Sequence, residues 1–399
     1  MRRRAYLALL GSATLAGCLD GSDDDTTGQE NEADSGESGD DQTETESDED
    51  DQQTEGKTAD EETTDEQETE ERTVDSAAFE VSWRQILDTR VVDLISYDAA
   101  IDGETLVVGS KAGVNAFDTA DGTEHWHREA WREFEEIRVT DGVVAGLTRD
   151  LEVVVLDAET GKTHWTETTT RESVSPPPIA LNDRYVAIGR PSSVTVHDRD
   201  TGKQEWKVEN GAEAIYATER LFAIADLFDS TVMGYDMGGR ERWTMDIHGG
   251  SGGAVTDGLL VVPELGVESH ELVAVDIHTG TEEWSADGFD LSPFFEIGSG
   301  AGIAVVIDES EEEDTLTAVS LADGTRTWET SVGSLLTPFR PPAIGSGLVV
   351  SETENGVGAY TVETGEQVGE TTEPFLVLTG LLEDGTFFDC GRKIVAYEL

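Results

Sequence analysis

The chain offers few groups whose type and spacing could support chemistry. Residues 249–253 read Gly-Gly-Ser-Gly-Gly, which matches the G-x-S-x-G pattern of a nucleophile elbow. That motif needs a sharp strand-to-helix turn to expose its serine, and helical periodicity is absent from this part of the sequence. We therefore interpret the segment as a flexible glycine loop and expect no catalytic residue in the chain.

A second candidate is the acidic run at residues 309–314, where Glu311, Glu313 and Asp314 are the best potential metal ligands. Clustered carboxylates suit hard cations such as Ca²⁺. The glycine positions of a calcium loop are lacking, so a solvated hairpin tip is the better interpretation of the run. The seven histidines show no metal-ligand spacing either. The sequence predicts neither a metal nor another cofactor.

The amino terminus carries an export and anchoring pattern. Three arginines at positions 2–4 precede an apolar run at 5–16, which has the length of a signal-peptide core and is too short to span a bilayer. The run ends in Leu15-Ala16-Gly17-Cys18, typical of a lipobox, and residues 3–7 resemble a twin-arginine export motif. We expect residues 1–18 to be a lipoprotein signal peptide. Lipid on Cys18 would then hold the exported protein on the outer face of the cytoplasmic membrane; the alternative is an accidental small-residue run before a buried cysteine.

Acidic side chains dominate the composition, with 86 Asp and Glu against 26 Lys and Arg in 399 residues, a net charge of −60. Nucleic acid is excluded as a partner because its phosphates require clustered basic groups. Residues 19–75 contain 26 acids, two bases and no aromatic residue, so this segment cannot bury enough apolar area to fold and is predicted to be a disordered acidic tether. The scarcity of lysine beside so many acids resembles proteins of salt-loving archaea.

A repeat of about forty residues organises the remainder, residues 76–399. Tryptophan recurs at 83, 126, 165, 206, 243, 284 and 328, and most of these residues follow a turn with aspartate and glycine at fixed offsets. The aspartate can accept local backbone N–H groups and the glycine can take a positive φ. The members are Asp118, Gly122 and Trp126; Asp157, Gly161 and Trp165; Asp198, Gly202 and Trp206; Asp236, Gly239 and Trp243; Asp276, Gly280 and Trp284; and Gly324 with Trp328.

Continuously apolar strands and a second turn precede each copy of this pattern, which indicates eight four-stranded units covered on both faces. We predict an all-β chain that folds as an eight-bladed β-propeller. The last strand, 393–399, has no tryptophan strand after it, and the first tryptophan strand, 79–83, has no partner before it. Pairing of these two terminal strands would close the ring.

The arrangement x-Asp-x-x-Thr-Gly-x-x-x-Trp, nearly intact at residues 156–165, 197–206 and 275–284, resembles the pyrroloquinoline-quinone-type propeller repeat. The resemblance covers residues 76–399 and implies that each tryptophan stacks on the glycine turn of the next blade. Two branches of that family differ in function. Quinoprotein dehydrogenases hold a quinone with Ca²⁺ beside a vicinal disulfide, and this sequence has no adjacent cysteines. The lipid-anchored propeller of the outer-membrane β-barrel assembly machinery is similar in length, lipobox and blade number, and presents loops to a protein.

Aromatic and proline residues recur ahead of the first strand of several units, at positions that share one mouth of the ring. We expect these side chains, called here the rim residues, to contact a protein partner, because aromatics and arginine are enriched in interfaces. The alternative is that they pack between blades as core. The rim residues are Trp131, Phe134, Phe294, Phe295, Phe339, Arg340 and Phe375.

From these features we expect a non-enzymatic, lipid-anchored binding scaffold at the cell surface, with an unknown protein as its partner and no cofactor. A quinone-dependent dehydrogenase or a quinone-binding sensor is the alternative.

Overall fold

A computed structural model describes fourteen stretches of the chain, all within the unit Glu71–Leu399. The stretches are 77–86, 98–110, 113–129, 134–170, 177–226, 230–249, 252–265, 270–291, 297–309, 313–335, 341–371, 378–381, 385–390 and 393–398. The signal peptide, Cys18 and the acidic tether lie outside these described residues. Within them, no helix has the length and apolar character needed to cross a membrane.

The described residues form eight sheets, each built on four antiparallel strands, which confirms the all-β, eight-bladed propeller. Blades 1 to 4 contain β3 (Ala99–Asp102), β4 (Thr105–Ser110), β5 (Gly113–Asp118) and β6 (Glu124–Glu129); β7 (Phe134–Thr140), β8 (Val143–Thr148), β9 (Glu152–Asp157) and β10 (Thr163–Thr168); β11 (Ile179–Leu181), β12 (Tyr185–Arg190), β13 (Ser193–Asp198) and β14 (Gln204–Val208); and β15 (Ala214–Ala217), β16 (Leu221–Asp226), β17 (Thr231–Asp236) and β18 (Glu241–Asp246).

Blades 5 to 7 repeat this order, and blade 8 combines both ends of the chain. The strands are β19 (Ala254–Thr256), β20 (Leu259–Glu264), β21 (His270–Asp276) and β22 (Thr281–Phe289); β23 (Gly298–Gly300), β24 (Ile303–Glu309), β25 (Asp314–Ser320) and β26 (Arg326–Gly333); β27 (Ala343–Gly345), β28 (Leu348–Thr353), β29 (Gly356–Thr361) and β30 (Gln367–Thr371); and β31 (Leu378–Leu381), β32 (Phe387–Cys390) and β33 (Lys393–Glu398), with β1 (Ala77–Ala78) and β2 (Glu80–Ile86) from the amino-terminal side.

The first strand of each blade contacts the first strands of both neighbouring blades, all the way round the ring. These strands therefore surround the central axis, and the fourth strands lie at the periphery. The middle strands are almost fully buried, as in β8 and β16, because a neighbouring blade covers each of their two faces. This explains the continuous apolar runs in the sequence.

The apolar core is divided into eight clusters, and each cluster lies between two adjacent blades. The cluster between blades 8 and 1, for example, contains Leu106 and Phe117 from one blade and Phe388 and Ile394 from the other. Every blade therefore buries its apolar faces only against its neighbours, as expected for a repeat architecture. Stability depends on an unbroken ring for the same reason.

Ring closure follows the predicted pairing of the chain ends. Strand β2 pairs antiparallel with β33, with Glu80 opposite Glu398 and Ile86 opposite Lys393, and supplies the fourth strand of blade 8. The structure adds a contact that the sequence did not indicate. Strand β1 pairs in parallel with β30, so that Ala77 and Ala78 extend blade 7 to five strands.

Several hairpins at one face of the ring depend on the ability of glycine to adopt a positive φ. Between the first two strands of blade 2, Asp141 and Gly142 take φ values of 47° and 74°. Two consecutive positive φ values define the type I′ turn that matches the twist of paired strands. Blades 5, 6 and 7 use the same geometry at Asp257-Gly258, Ala301-Gly302 and Ser346-Gly347.

Candidate functional site

The tryptophan repeat forms a set of equivalent contacts between blades. Among the described residues there are seven such contacts, and in each of them the indole Nε1 donates to a backbone carbonyl in the turn of the next blade, at 2.7–3.0 Å. The acceptors for Trp83, Trp126, Trp165, Trp206, Trp243, Trp284 and Trp328 are, in order, Thr119, Ala158, Arg199, Met237, Ile277, Leu321 and Val362. We call each of these contacts a tryptophan seam.

The glycine of each turn lies directly under the indole ring. At Gly161 the φ is +66°, and a Cβ placed there would be 2.7 Å from the ring of Trp126. A left-handed backbone and the absence of a side chain are both required at this point. The same holds at Gly122, Gly202, Gly239, Gly280, Gly324 and Gly365, where a Cβ would lie less than 3 Å from an indole atom.

The repeated aspartates serve the turns that they begin. The Asp157 carboxylate accepts hydrogen bonds from the Thr160 backbone N–H at 2.8 Å and from its hydroxyl at 2.5 Å. The hydroxyl bond is the main cause that lowers the pKa of Asp157 below its ordinary value. Asp198 makes the same two bonds with Thr201, and its pKa is lowered in the same way. These carboxylates therefore stabilise the local structure of their turns.

Sequence reasoning missed a second donor in three of the seams. The residue two positions after the tryptophan reaches the carbonyl of the next blade's glycine: Gln85 to Gly122 at 2.8 Å, Arg128 to Gly161 at 3.1 Å and Thr330 to Gly365 at 2.8 Å. Three different residue types make this bond, so no pattern of residue types in the sequence predicts it. The fixed offset from the tryptophan was the only signal.

Of the rim residues, the structure describes only Phe134. It is 3% exposed and packs between blades 1 and 2 with Ile137 and Val144. This burial corrects its interpretation as a partner-contacting side chain, because the ring fills the space above Gly146, which has no Cβ. The other rim residues, Trp131, Phe294, Phe295, Phe339, Arg340 and Phe375, lie outside the described residues.

The described residues that flank two of these segments are fixed in the fold. Before residues 292–296, Leu291 is 3% exposed and donates its N–H to His270 Nδ1 at 3.1 Å. After them, Ile297 is 4% exposed and donates to the Gly252 carbonyl at 2.8 Å. Before residues 336–340, Leu335 donates its N–H to Asp314 Oδ2 at 2.7 Å. The segments that carry Phe294 and Phe339 therefore begin at anchored points of the ring.

Asp314 thus accepts a hydrogen bond from the backbone at Leu335, in contrast to the metal-ligand role considered from the sequence. It is 4% exposed, and Glu313 Oε2 accepts a hydrogen bond from the Ser331 hydroxyl at 2.6 Å. No group of His, Cys, Asp or Glu is arranged to hold a metal ion in the part of the chain that the structure describes. Glu311 and Ser251 lie outside that part.

Burial raises the pKa of several groups, among them Tyr360, Asp308 and Glu213. The pKa of Tyr360, between blades 6 and 7, rises to about 12. The carboxyl of Asp308 has a raised pKa because it is partly desolvated, while its Oδ1 accepts the Asp290 N–H at 3.0 Å. The pKa of Glu213 is raised by burial and by the nearby Asp226.

The ring, the tryptophan seams and the glycine turns define an eight-bladed β-propeller of the pyrroloquinoline-quinone type. A sequence profile described as "Outer membrane protein assembly factor BamB" matches residues 110–226 and 228–375, well over half of the chain. The chain belongs to this family. No curated protein sequence matches it.

Solved structures show how widely the fold is shared. BamB from Moraxella catarrhalis superposes with a TM-score of 0.62 at 16% identity, over 81% of this chain and 98% of that one. The quinohemoprotein alcohol dehydrogenase ADHIIG from Pseudomonas putida HK5 gives 0.57 at 13% identity, over 80% and 76%. The C-terminal WD40 domain of Sif2 gives 0.61 at 12%, over 81% and 99%. At these identities the similarity establishes the fold and does not choose between functions.

Proposed function

We propose that this protein is a non-enzymatic binding scaffold, exported and held at the outer face of the cytoplasmic membrane by lipid on Cys18. The observation that carries the proposal is the family match over residues 110–226 and 228–375, to a family described as an assembly factor. The lipobox at residues 15–18 supports the anchor. In the described turns, Asp157, Asp198 and their equivalents stabilise the backbone, which leaves the repeat with a structural role.

The face for the partner is the one on which the chain passes from the fourth strand of one blade to the first strand of the next. Antiparallel order places all of these connections on the same side of the ring. Phe294, Phe295, Phe339 and Arg340 belong to two such connections, and their flanking residues Leu291 and Leu335 are held by hydrogen bonds. Anchored flanking residues lower the entropic cost of binding a partner at these connections.

Site-specific crosslinking tests this face. A photoreactive amino acid would replace Phe294 or Phe339 in the full chain, expressed in cells with its signal peptide, and adducts would be identified by mass spectrometry. We expect one recurrent protein partner at both positions. Lys162, exposed on the opposite face, is the matched control and should give no such adduct. An identical adduct pattern at all three positions, or none at Phe294 and Phe339, contradicts the proposal.

Similarity to a quinohemoprotein alcohol dehydrogenase favours a second candidate, a quinone-dependent dehydrogenase or sensor. Titration of the purified full chain with pyrroloquinoline quinone and Ca²⁺ separates the two. The scaffold requires that no saturable quinone absorption change appears and that no electrons pass to a dye acceptor. A stoichiometric quinone complex with dye reduction would favour the enzyme.

A further inference from the structure

A cleft of about 540 Å³ opens at the hairpin face of blades 3 and 4, on the side of the ring opposite to the blade connections. Three turns supply its walls: residues 182–184 of blade 3 and residues 218–220 and 236–240 of blade 4. The lining side chains include Arg184, Arg220 and Arg240, together with Glu219, Asp236 and Met237. Three guanidinium groups in one cleft are unusual in a chain where acids outnumber bases by 86 to 26.

The first two of these turns depart from the type I′ geometry of blades 2, 5, 6 and 7. None of Asp183, Arg184, Glu219 or Arg220 takes a positive φ. Side chains hold the turns instead, as Asn182 Oδ1 accepts the Arg184 N–H at 2.9 Å and Thr218 Oγ1 accepts the Arg220 N–H at 3.2 Å. A negative φ tolerates any L side chain, so long arginines can occupy positions that an Asp-Gly turn reserves for glycine.

The third turn departs from the repeat as well. In blades 1, 2, 3, 5, 6 and 7, the residue that follows the position of the repeated aspartate donates its N–H to a backbone carbonyl in the first turn of the same blade. In blade 2, for example, Ala158 donates to the Gly142 carbonyl at 2.9 Å. Blade 4 has a shorter turn, with Gly239 bonding back to Asp236 at 2.9 Å, and among the described residues no such bond joins its two turns. The space between residues 218–220 and 236–240 is where the cleft opens.

One buried side chain holds the three turns together. Asn182 is 5% exposed, and its Nδ2 donates to the Thr218 carbonyl at 2.9 Å and contacts Met237 Sδ at 3.7 Å. Its Oδ1 accepts the N–H groups of Arg184 and Tyr185. The turns that carry the arginines are therefore fixed relative to one another before any ligand arrives, which lowers the entropic cost of binding.

The three arginines of the cleft are open to solvent. Arg184, Arg220 and Arg240 are exposed, and none forms an ion pair with another described residue; Arg184 lies with its Cζ 5.2 Å from the Tyr185 ring centroid. Asp236 is already occupied, since its Oδ1 accepts the N–H groups of Gly238 and Arg240 at 3.0 Å.

Two carboxylates, Asp236 and Glu219, also line the cleft and reduce its positive charge. The Arg240 backbone N–H is the main cause that lowers the pKa of Asp236, and the charges of Arg240 and Arg242 lower it further. Asp236 Oδ2 lies 3.7 Å from Arg242 Nη1, so Asp236 is balanced partly by Arg242 outside the lining set and partly by Arg240 within it. Glu219 is the one lining carboxylate without an ion pair among the described residues, and it opposes the binding of an anion. A local excess of positive charge on a surface of net charge −60 concentrates anions at this point.

We propose that this cleft binds the phosphate group of a small phosphorylated molecule. Guanidinium groups match phosphate oxygens through paired N–H bonds, and three arginines suit a doubly charged anion better than a single carboxylate. The phosphate lies against Arg220 and Arg240, and the remainder of the molecule lies over Met237. This site is independent of the partner-binding face, because it lies at the opposite end of the blades.

The test measures the binding of sodium pyrophosphate to the full chain by isothermal titration calorimetry. The measurement is made at two KCl concentrations at which the circular dichroism spectrum of the protein is the same. We expect saturable one-to-one binding that weakens as salt rises, since screening acts on exposed charges. The double variant Arg220→Gln/Arg240→Gln should bind at least about tenfold more weakly, and Glu219→Gln should bind a few-fold more tightly.

The double variant Lys203→Gln/Lys207→Gln provides the charge-matched control. Lys203 and Lys207 pair with Glu205 at 2.8 Å and Glu209 at 2.9 Å and do not line the cleft, so their removal should leave the affinity unchanged. The proposal is overturned if wild-type protein shows no saturable binding, or if the arginine and lysine double variants bind pyrophosphate equally well. Binding of hexaglutamate with no binding of pyrophosphate would also overturn it, in favour of an acidic peptide.

Discussion

The seven tryptophan seams and the contact between blades 7 and 8 hold the ring by different means. In a tryptophan seam, one indole lies on a glycine turn about 35 residues further along the chain, as Trp126 does on Gly161. Blade 7 has Gly369 at the tryptophan position, and the fourth strand of blade 8 is β2, so no hairpin turn joins the third and fourth strands of that blade. The indole and its receptor are both missing from the same seam.

Phe79 fills that seam from the amino-terminal side. Its ring lies 4.8 Å from the ring of Phe387 and 6.2 Å from that of Tyr397, centroid to centroid, in the cluster between blades 7 and 8. On one side of Phe79, β1 pairs with blade 7, and on the other side β2 completes blade 8. Trp83 then makes the first tryptophan seam, to blade 1. Residues 77–86 thus join three consecutive blades, and this irregular segment replaces the missing tryptophan seam in closing the ring.

The largest effect is expected from deletion of residues 77–86. The deletion exposes the edge of β33 and the aromatic cluster of Phe387 and Tyr397, and it removes Trp83 from blade 1. We expect loss of the cooperative thermal transition, measured by circular dichroism and calorimetry. Deletion of residues 20–70 is the control and should leave the transition in place. A shortened protein that melts within a few degrees of the full chain would show that the closing segment is dispensable.

Truncation of single aromatic residues compares the two kinds of seam directly. Trp243 is 8% exposed and donates to the Ile277 carbonyl at 2.9 Å, so Trp243→Ala should cost about 3–5 kcal/mol of unfolding free energy. Phe79→Ala should cost about 3 kcal/mol, because its ring is only partly buried. Guanidinium denaturation measures both. If Phe79→Ala changes the free energy by less than about 0.5 kcal/mol, the closing seam does not depend on this ring.

A pair of glycines in blade 2 isolates the contact with the indole. Gly161 and Gly142 both have a positive φ, of +66° and +74°, but only Gly161 has a tryptophan ring above it. Gly142→Ala should cost about 1 kcal/mol for the left-handed backbone, whereas Gly161→Ala should cost about 2–4 kcal/mol because the ring must move. Equal costs in urea denaturation would mean that the ring adapts freely.

The smallest effect concerns pH and the turn carboxylates. Because the folded pKa of Asp157 is lowered, its contribution to stability is complete above the unfolded pKa of about 4 and is lost as pH falls through the folded value. Asp157→Asn should therefore flatten the decline of the melting temperature below pH about 4. The raised pKa of Asp308 has the opposite sign, so Asp308→Asn should raise the melting temperature near pH 7. Parallel pH profiles for both variants and wild type would contradict these assignments.

How much could be read from the sequence differs between the parts of the molecule. The turns and the blade number followed from the recurrence of Asp157, Gly161 and Trp165, because these residues act within a few positions of one another. The pairing of β2 with β33 followed from counting strands. Of the predicted rim residues, Phe134 proved to be core, since an aromatic at the start of a strand has the same pattern whether it points to solvent or to a neighbouring blade.

The sequence by itself determined the repeat, the all-β class, the eight blades and the strands that close them, because periodic turns and apolar runs encode local structure directly. Only the tertiary structure decided the pairing of β1 with β30, the place of Phe79 and the meeting of Arg184, Arg220 and Arg240 around Asn182. These contacts join residues that are far apart in the chain or on separate turns. Their partners are set by the closure and twist of the ring, and no local pattern carries that information.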